Sequence, residues 1–254
     1  MSGSRIFWFL ASLAVAAGFI VLWQYVADAR LISPAFLPGP NRAWAALVDG
    51  MIHRDLTDQL ISTVMRMIYG WLLASTLGIA VGALIGISPT ARAYLLPTLE
   101  MIRPLPASAI IPVSIAFFGL SERMVLAVIA FGALWPMLLA TVHGFAAVEP
   151  RLYEVARALG LSRWDVIRKI ALPSAMPDIL AGMRIGLTIA LILAVVGEML
   201  TSTEGLGQWV LFAGRSFRAS DLFAGVILLG AVGYVSATLL GAAERYLLRW
   251  RISH

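Results

Sequence analysis

The chain contains no cysteine, a single lysine and few charges of either sign. Without cysteine there are no disulfides and no thiolate metal sites. The one lysine, Lys169, lies in no glycine-rich loop, so the sequence holds no Walker-type phosphate cradle. His53 and His143 are isolated, which argues against a metal site. No Ser/His/Asp arrangement falls at membrane depth, so no residue is assigned a catalytic role. Charged residues make up 13% of the chain and apolar ones 60%, which excludes an ordinary soluble domain and indicates a membrane protein. The net charge of +5 points by itself to neither nucleic acid nor an acidic substrate.

What is present is a series of apolar runs of about 20 residues or more, each long enough to cross a bilayer as a helix. They cover residues 6–26, 60–87, 94–120, 124–145, 178–200 and 222–243. The expected fold is therefore all-α and integral to the membrane, with six spans in one transmembrane domain over residues 1–254. Ala27-Asp28-Ala29 resembles a signal cleavage site, but the first run exceeds the usual signal core of about 7–15 residues, so an anchor is favoured. Pro34, Pro38 and Pro40 predict extended chain after it, and Asn41 is a candidate cap for a short helix. Gly78, Gly82 and Gly86 form a small-residue stripe that lets helices approach closely in lipid. The third span holds Pro97, Pro104, Pro106 and Pro112 and must be kinked or partly unwound. Irregular backbone at membrane depth is tolerated inside protein or against a water-filled cavity, which places this span at a transport path. The polar loop 201–221 predicts a surface helix toward Arg218.

One long polar stretch, 149–177, separates the fourth and fifth spans and carries Arg151, Arg157, Arg163, Arg168 and Lys169. It reads as two short helices joined at a glycine. Pro150 suits a first turn, Gly160 suits a left-handed helix end, and Ser162 with Asp165 forms a capping pattern. Pro173 is expected to stop the second helix.

The charge count sets an orientation. With the N-terminus inside, the inner segments hold Arg5, Arg92, the five bases above, and Arg245, Arg249 and Arg251. The outer ones hold Arg30, Arg42, Arg54, Arg123, Arg215 and Arg218, matched by Asp28, Asp49, Asp55, Asp58, Glu122, Glu204 and Asp221. The bias predicts both termini, and the 149–177 stretch, in the cytoplasm.

Five ionisable groups fall within the spans: Arg66, Glu100, Arg103, Arg184 and Glu198. Each costs on the order of 2.5–3.5 kcal/mol at mid-bilayer and needs a partner or water. Depth along the spans predicts Arg66 with Glu198 near the outer face and Arg184 with Glu100 near the inner face. These five, with Pro104 and Pro106, are the candidate translocation-path residues. Arg103, beside both prolines, is the residue expected to meet an anion, because a guanidinium fork suits sulfonate, nitrate or carboxylate oxygens.

Glu154-Val155-Ala156, three residues, Gly160, nine residues, then Ile170-Ala171-Leu172-Pro173 resembles the coupling motif of ABC-importer permeases, with Val155 in place of the usual first alanine. Leu31-Ile32-Ser33-Pro34, Leu37-Pro38, Ser88-Pro89-Thr90, Arg103-Pro104-Leu105-Pro106, Ala181-Gly182-Met183-Arg184-Ile185-Gly186, Gly205-Leu206-Gly207 and the run from Glu244 to Trp250 resemble the permeases of the nitrate/sulfonate/taurine family. The resemblance implies a type I importer fold with a cytoplasmic coupling helix. It implies two permease copies, as a homodimer, two ABC ATPase subunits that hold the ATP and Mg, and an outside solute-binding protein. No cofactor is implied in this chain, and membrane lipid but no nucleic acid is a partner. The ATPase contact would come from Tyr153, Glu154, Val155, Ala156, Arg157, Ala158, Leu159, Gly160, Leu161 and Ser162. Here Ala156 and Ala158 would admit a partner backbone, and Leu159 and Leu161 would anchor it. The function expected is a permease subunit in the inner membrane, importing a small solute, with sulfonate, taurine or nitrate as the best guess. Relatives carry thiamine precursors, riboflavin and aromatic acids as well. The rival reading is a self-sufficient secondary transporter, which fits the buried charges and broken helix but leaves the coupling motif idle.

Overall fold

The structure is a computed structural model that describes residues 3–251, with side chains over 7–250. The side chains of Arg5 and Arg251, both counted in the inner charge set, and residues 252–254 of the tail lie outside the described residues.

The helices are α1 (Gly3–Asp28), α2 (Pro40–His53), α3 (Leu56–Ile87), α4 (Pro89–Ile102), α5 (Ala107–Phe118), α6 (Glu122–Ala146), α7 (Pro150–Ala158), α8 (Arg163–Val166), α9 (Leu172–Thr201), α10 (Leu206–Arg215) and α11 (Ala219–Leu247). Among the described residues five helices are long and apolar enough to cross a membrane, or six if α4 and α5 form one broken span.

Two compact units are formed. The first comprises Met1–Ile61 and Glu204–Gly230. Its apolar centre is Leu56, Leu206 and Leu228, with Met51, Leu60 and Trp209 against them. Arg54 joins two elements by bonding Asp49 at 2.6 Å and Asp221 at 3.0 Å, and its guanidinium stacks over Trp209. Trp23 donates its indole N–H to the Pro38 carbonyl at 3.0 Å and packs on Phe223, fixing the end of α1. Two local features differ from expectation. Asn41 does not cap α2: the cap position is Gly39, with Pro40 in the first turn, where its missing N–H costs nothing. Residues 29–37 are turn-rich rather than extended, because Ser33 accepts at its carbonyl from the amides of Phe36 and Leu37.

The second unit comprises Ser62–Thr203 and Ala231–His254. Its most enclosed span is α6. The glycine stripe of α3 lies on one side of it. A Cβ at Gly82 would stand 2.6 Å from the Leu138 carbonyl, at Gly86 2.7 Å from the Phe145 Cβ, and at Gly78 3.1 Å from the Leu134 carbonyl. The α9 helix lies on the other side, where a Cβ at Gly182 would stand 2.7 Å from the Pro136 carbonyl. Small residues thus bring three backbones together, and dispersion contacts hold them where lipid offers no hydrophobic gain. Trp71 ties α3 to α9 through its N–H to the Met183 carbonyl, 2.9 Å.

The proline-rich span breaks as its composition predicts, and the break is sharp. The axes of α4 and α5 meet at 89°, across Arg103–Pro106. Pro97 and Pro112 stay inside their helices. Pro173, in contrast, does not end the second helix of the polar stretch. Ile167–Ala171 widens into a π-turn, in which the Leu172 amide reaches the Ile167 carbonyl five residues back. That register accommodates the donor Pro173 lacks, so helix continues from Arg163 to Thr201.

Candidate functional site

The polar stretch folds as a short helix, a tight reversal and a second helix. Pro150 begins α7. Gly160 at φ +65° ends it in a Schellman arrangement, with the Leu161 amide on the Ala156 carbonyl (3.0 Å) and the Gly160 amide on the Arg157 carbonyl (3.1 Å). The Ser162 hydroxyl accepts from the Asp165 amide at 3.1 Å and donates to its carboxylate at 2.7 Å, capping α8. Lys169 clasps Asp165 one turn on, at 2.7 Å.

The two faces of α7 differ. Tyr153 packs against the cluster of Phe145, Val148, Ala171, Ala175 and Ile179, and Ala156 is buried beside it. Burial raises the Tyr153 phenol above its ordinary pKa of 10, against the opposing charge of Arg92, so its hydroxyl keeps its proton. The other face carries Leu152, Val155 and Leu159, one helix turn apart and exposed, with Leu159 at 70%. Glu154, Arg157 and Ala158 are exposed around it, and Leu161 is half-buried. Ala156, expected at a partner's backbone, is buried within its own chain.

A cavity of about 630 Å³ opens at the α4–α5 break. Arg103, Leu105 and Ala107 line one side, and the α6 residues Gly132, Trp135, Pro136, Leu139, Ala140 and His143 another. From α9 come Ile185, Ile189, Ile192 and Leu193. The wall is mostly apolar, with Arg103 its one permanent charge. The backbone bends here because Pro104 and Pro106 supply no amide, and Pro106 caps α5 in an extended conformation at φ −65° and ψ 134°. Trp135 was not anticipated from the sequence, and His143 was read only as an isolated histidine. They were legible as the face 132, 135–136, 139–140 and 143 of one helix.

The other intramembrane charges are elsewhere. Arg66 and Glu198 meet at 2.6 Å, as depth along the spans predicts. Both are buried, at 6% and 0% exposure, and neither lines this cavity. Glu122 at the start of α6 joins them, 3.0 Å from the second Arg66 nitrogen, and Thr63 donates to Glu198 at 3.0 Å. The predicted Arg184–Glu100 pair does not form. Arg184 bonds Glu244 on α11, and Glu100 instead shares a shallow hollow with Arg92 along α4. Among the described residues no group of three or more His, Asp or Glu is placed to hold a metal.

Residues 74–252 match the family described as binding-protein-dependent transport system inner membrane component. The chain belongs to this family. SsuC of Bacillus subtilis (strain 168), named for aliphatic sulfonates transport, is 32% identical over 99% of this chain and 91% of its own. The taurine transport system permease protein TauC of Escherichia coli (strain K12) is 31% identical over 94% of this chain and 89% of its own. The nitrate import permease protein NrtB of Leptolyngbya laminosa is 30% identical over 91% and 85%. In fold, the chain is similar to the inward-facing MetNI methionine ABC transporter, with a TM-score of 0.66 at 20% identity over 76% of this chain and 95% of that one. The protein is thus a multi-pass inner-membrane permease of an ABC importer with the type I fold.

Proposed function

We propose that this permease imports a small anion of the sulfonate, taurine or nitrate kind through a path that includes the Arg103 cavity. Two copies of the chain enclose that path, two ATPase subunits bind ATP and Mg and dock on α7, and an outside binding protein delivers the anion. Both termini lie in the cytoplasm. The observation that carries the reading is the division of α7 into a face pinned by Tyr153 and Ala156 and a face offering Leu152, Val155 and Leu159. A helix held rigidly from behind, with an apolar stripe in front, transmits a partner's movement to the spans as a rigid body. The substrate class draws support from relatives named for sulfonates, taurine, nitrate and bicarbonate, each of which presents an anionic oxygen-bearing group. It also draws support from the single fixed cation on an otherwise apolar wall. Arg66 and Glu198, being enclosed, hold the bundle beside the path, while Glu100 and Arg184 belong to its inner rim.

Native mass spectrometry of the gently purified chain is the test. Two permease copies with two ATPase subunits, and loss of uptake on depleting ATP at constant proton gradient, are expected. A chain that emerges alone and transports without ATP would overturn the reading in favour of a secondary transporter.

A further inference from the structure

A second recess lies behind α7, away from its exposed apolar stripe. Its volume is about 920 Å³, and it is walled by the α3–α4 turn, the α6–α7 corner and the start of α8. Arg92, Arg157 and Arg163 line it, and no acidic residue does. Among the described residues these three form no ion pair. Two of them are tethered rather than free: Arg92 donates to the Gly86 carbonyl and Arg157 to the Tyr153 carbonyl, each at 3.4 Å. The remaining guanidinium donors are left for something else. Tyr153, with its proton retained, adds a neutral hydroxyl to the same wall.

Gathering three unneutralised guanidiniums in one recess costs mutual repulsion, which an anion relieves. Arginine forks match phosphate oxygens in pairs. The setting is one where phosphate is abundant, because the recess lies at the ends of the spans. Tyr94, two residues from Arg92, and Trp164, next to Arg163, are 79% and 70% exposed, as aromatic residues at headgroup level are. We propose that this recess binds the phosphate of an anionic phospholipid, and that the lipid thereby braces the rear of α7. The test addresses lipid retention by the chain itself and does not depend on ATPase docking or on the substrate.

The full-length chain, with its co-purifying subunits, is placed in nanodiscs of phosphatidylcholine with or without phosphatidylglycerol, and retained lipid is counted by native mass spectrometry. The Arg92→Gln/Arg163→Gln variant is expected to hold phosphatidylglycerol roughly 25-fold more weakly, from about 1 kcal/mol per basic residue near the surface. Arg42→Gln/Arg215→Gln removes equal charge outside the recess and is expected to retain the lipid. Arg92→Lys/Arg163→Lys keeps the charge and is expected to restore most retention, which separates lost binding from lost folding. Equal retention by all variants, or equal loss in both glutamine pairs, would overturn the proposal. So would displacement of the lipid by inorganic phosphate at millimolar concentration, which would mark a site for the free ion.

Discussion

Nη1 of Arg66 lies 2.6 Å from Oε1 of Glu198, and both side chains are enclosed by the bundle. The two partners are not equivalent. Loss of Arg66 removes the cation from a fully buried carboxylate. Loss of Glu198 leaves Arg66 still facing Glu122, which is solvent-exposed. Breaking a buried pair from one side costs on the order of 3–5 kcal/mol, because an uncompensated charge stays behind. Arg66→Met is therefore expected to destabilise the chain by about that amount and Glu198→Gln by less. Arg66→Met with Glu198→Leu is expected to recover most of the loss. Thermal unfolding of the four proteins in one detergent checks the order. A smaller cost for Arg66→Met than for Glu198→Gln would refute it.

The α3 stripe predicts a second ranking. A methyl at Gly82 would press on the Leu138 carbonyl at 2.6 Å, whereas one at Gly78 meets its nearest atom at 3.1 Å. Backbone cannot step aside as a side-chain tip can, so overpacking costs of about 1–3 kcal/mol apply to Gly82→Ala and smaller ones to Gly78→Ala. Gly18→Ala has open space around it and serves as a control. Unfolding midpoints in the order Gly18→Ala, Gly78→Ala, Gly82→Ala, highest first, are expected.

On α7 the two faces separate stability from coupling. Leu159→Asp puts a charge on the exposed stripe and is expected to leave unfolding unchanged while cutting ATPase co-purification at least tenfold. Gly160→Arg acts on the chain reversal itself. No neighbour crowds a Cβ there, so the cost arises from φ +65°, about 1–2 kcal/mol for an L side chain. The variant is expected to insert in the membrane and to lose the ATPase. A complex that survives both changes would detach α7 from the coupling role.

How much of this was legible in the sequence depended on distance along the chain and on what proline does locally. The Arg66–Glu198 pair followed from depth, since both groups sit near the same ends of their spans. Glu122 was missed as a partner because it was counted with a loop, yet it opens α6 and pairs with Arg66 at 3.0 Å. The Arg184 partner was missed for a similar reason. Glu244 was placed in a tail after the last span, while α11 continues to Leu247 and carries it alongside α9. Proline content predicted a kinked or unwound third span without fixing where it breaks, and it misread Pro173, because a π-turn accommodates a missing donor without ending a helix. The cavity was half visible. Arg103 stood out by charge, whereas His143 was read as an isolated histidine and Trp135 drew no reading, although helix periodicity sets both on one face.

Arg103 gives the sharpest functional expectation. It is the only permanently charged side chain on the cavity wall, and it stands at a bend that Pro104 and Pro106 hold open. If it meets the anion, charge alone is insufficient: the planar fork matters as well, since it presents paired donors to a sulfonate or nitrate. Arg103→Lys is then expected to lower uptake several-fold, and Arg103→Gln on the order of 10–100-fold, from about 1.5–3 kcal/mol for a hydrogen bond to a charged group. Neither variant removes a buried partner, so ATPase co-purification and unfolding should stay at wild-type values. Uptake of radiolabelled taurine or sulfonate into vesicles, measured with all three proteins at equal membrane abundance, decides the matter. Unchanged uptake in Arg103→Gln would reduce Arg103 to a surface charge beside the path, and reduced abundance of the complex would make it part of the scaffold.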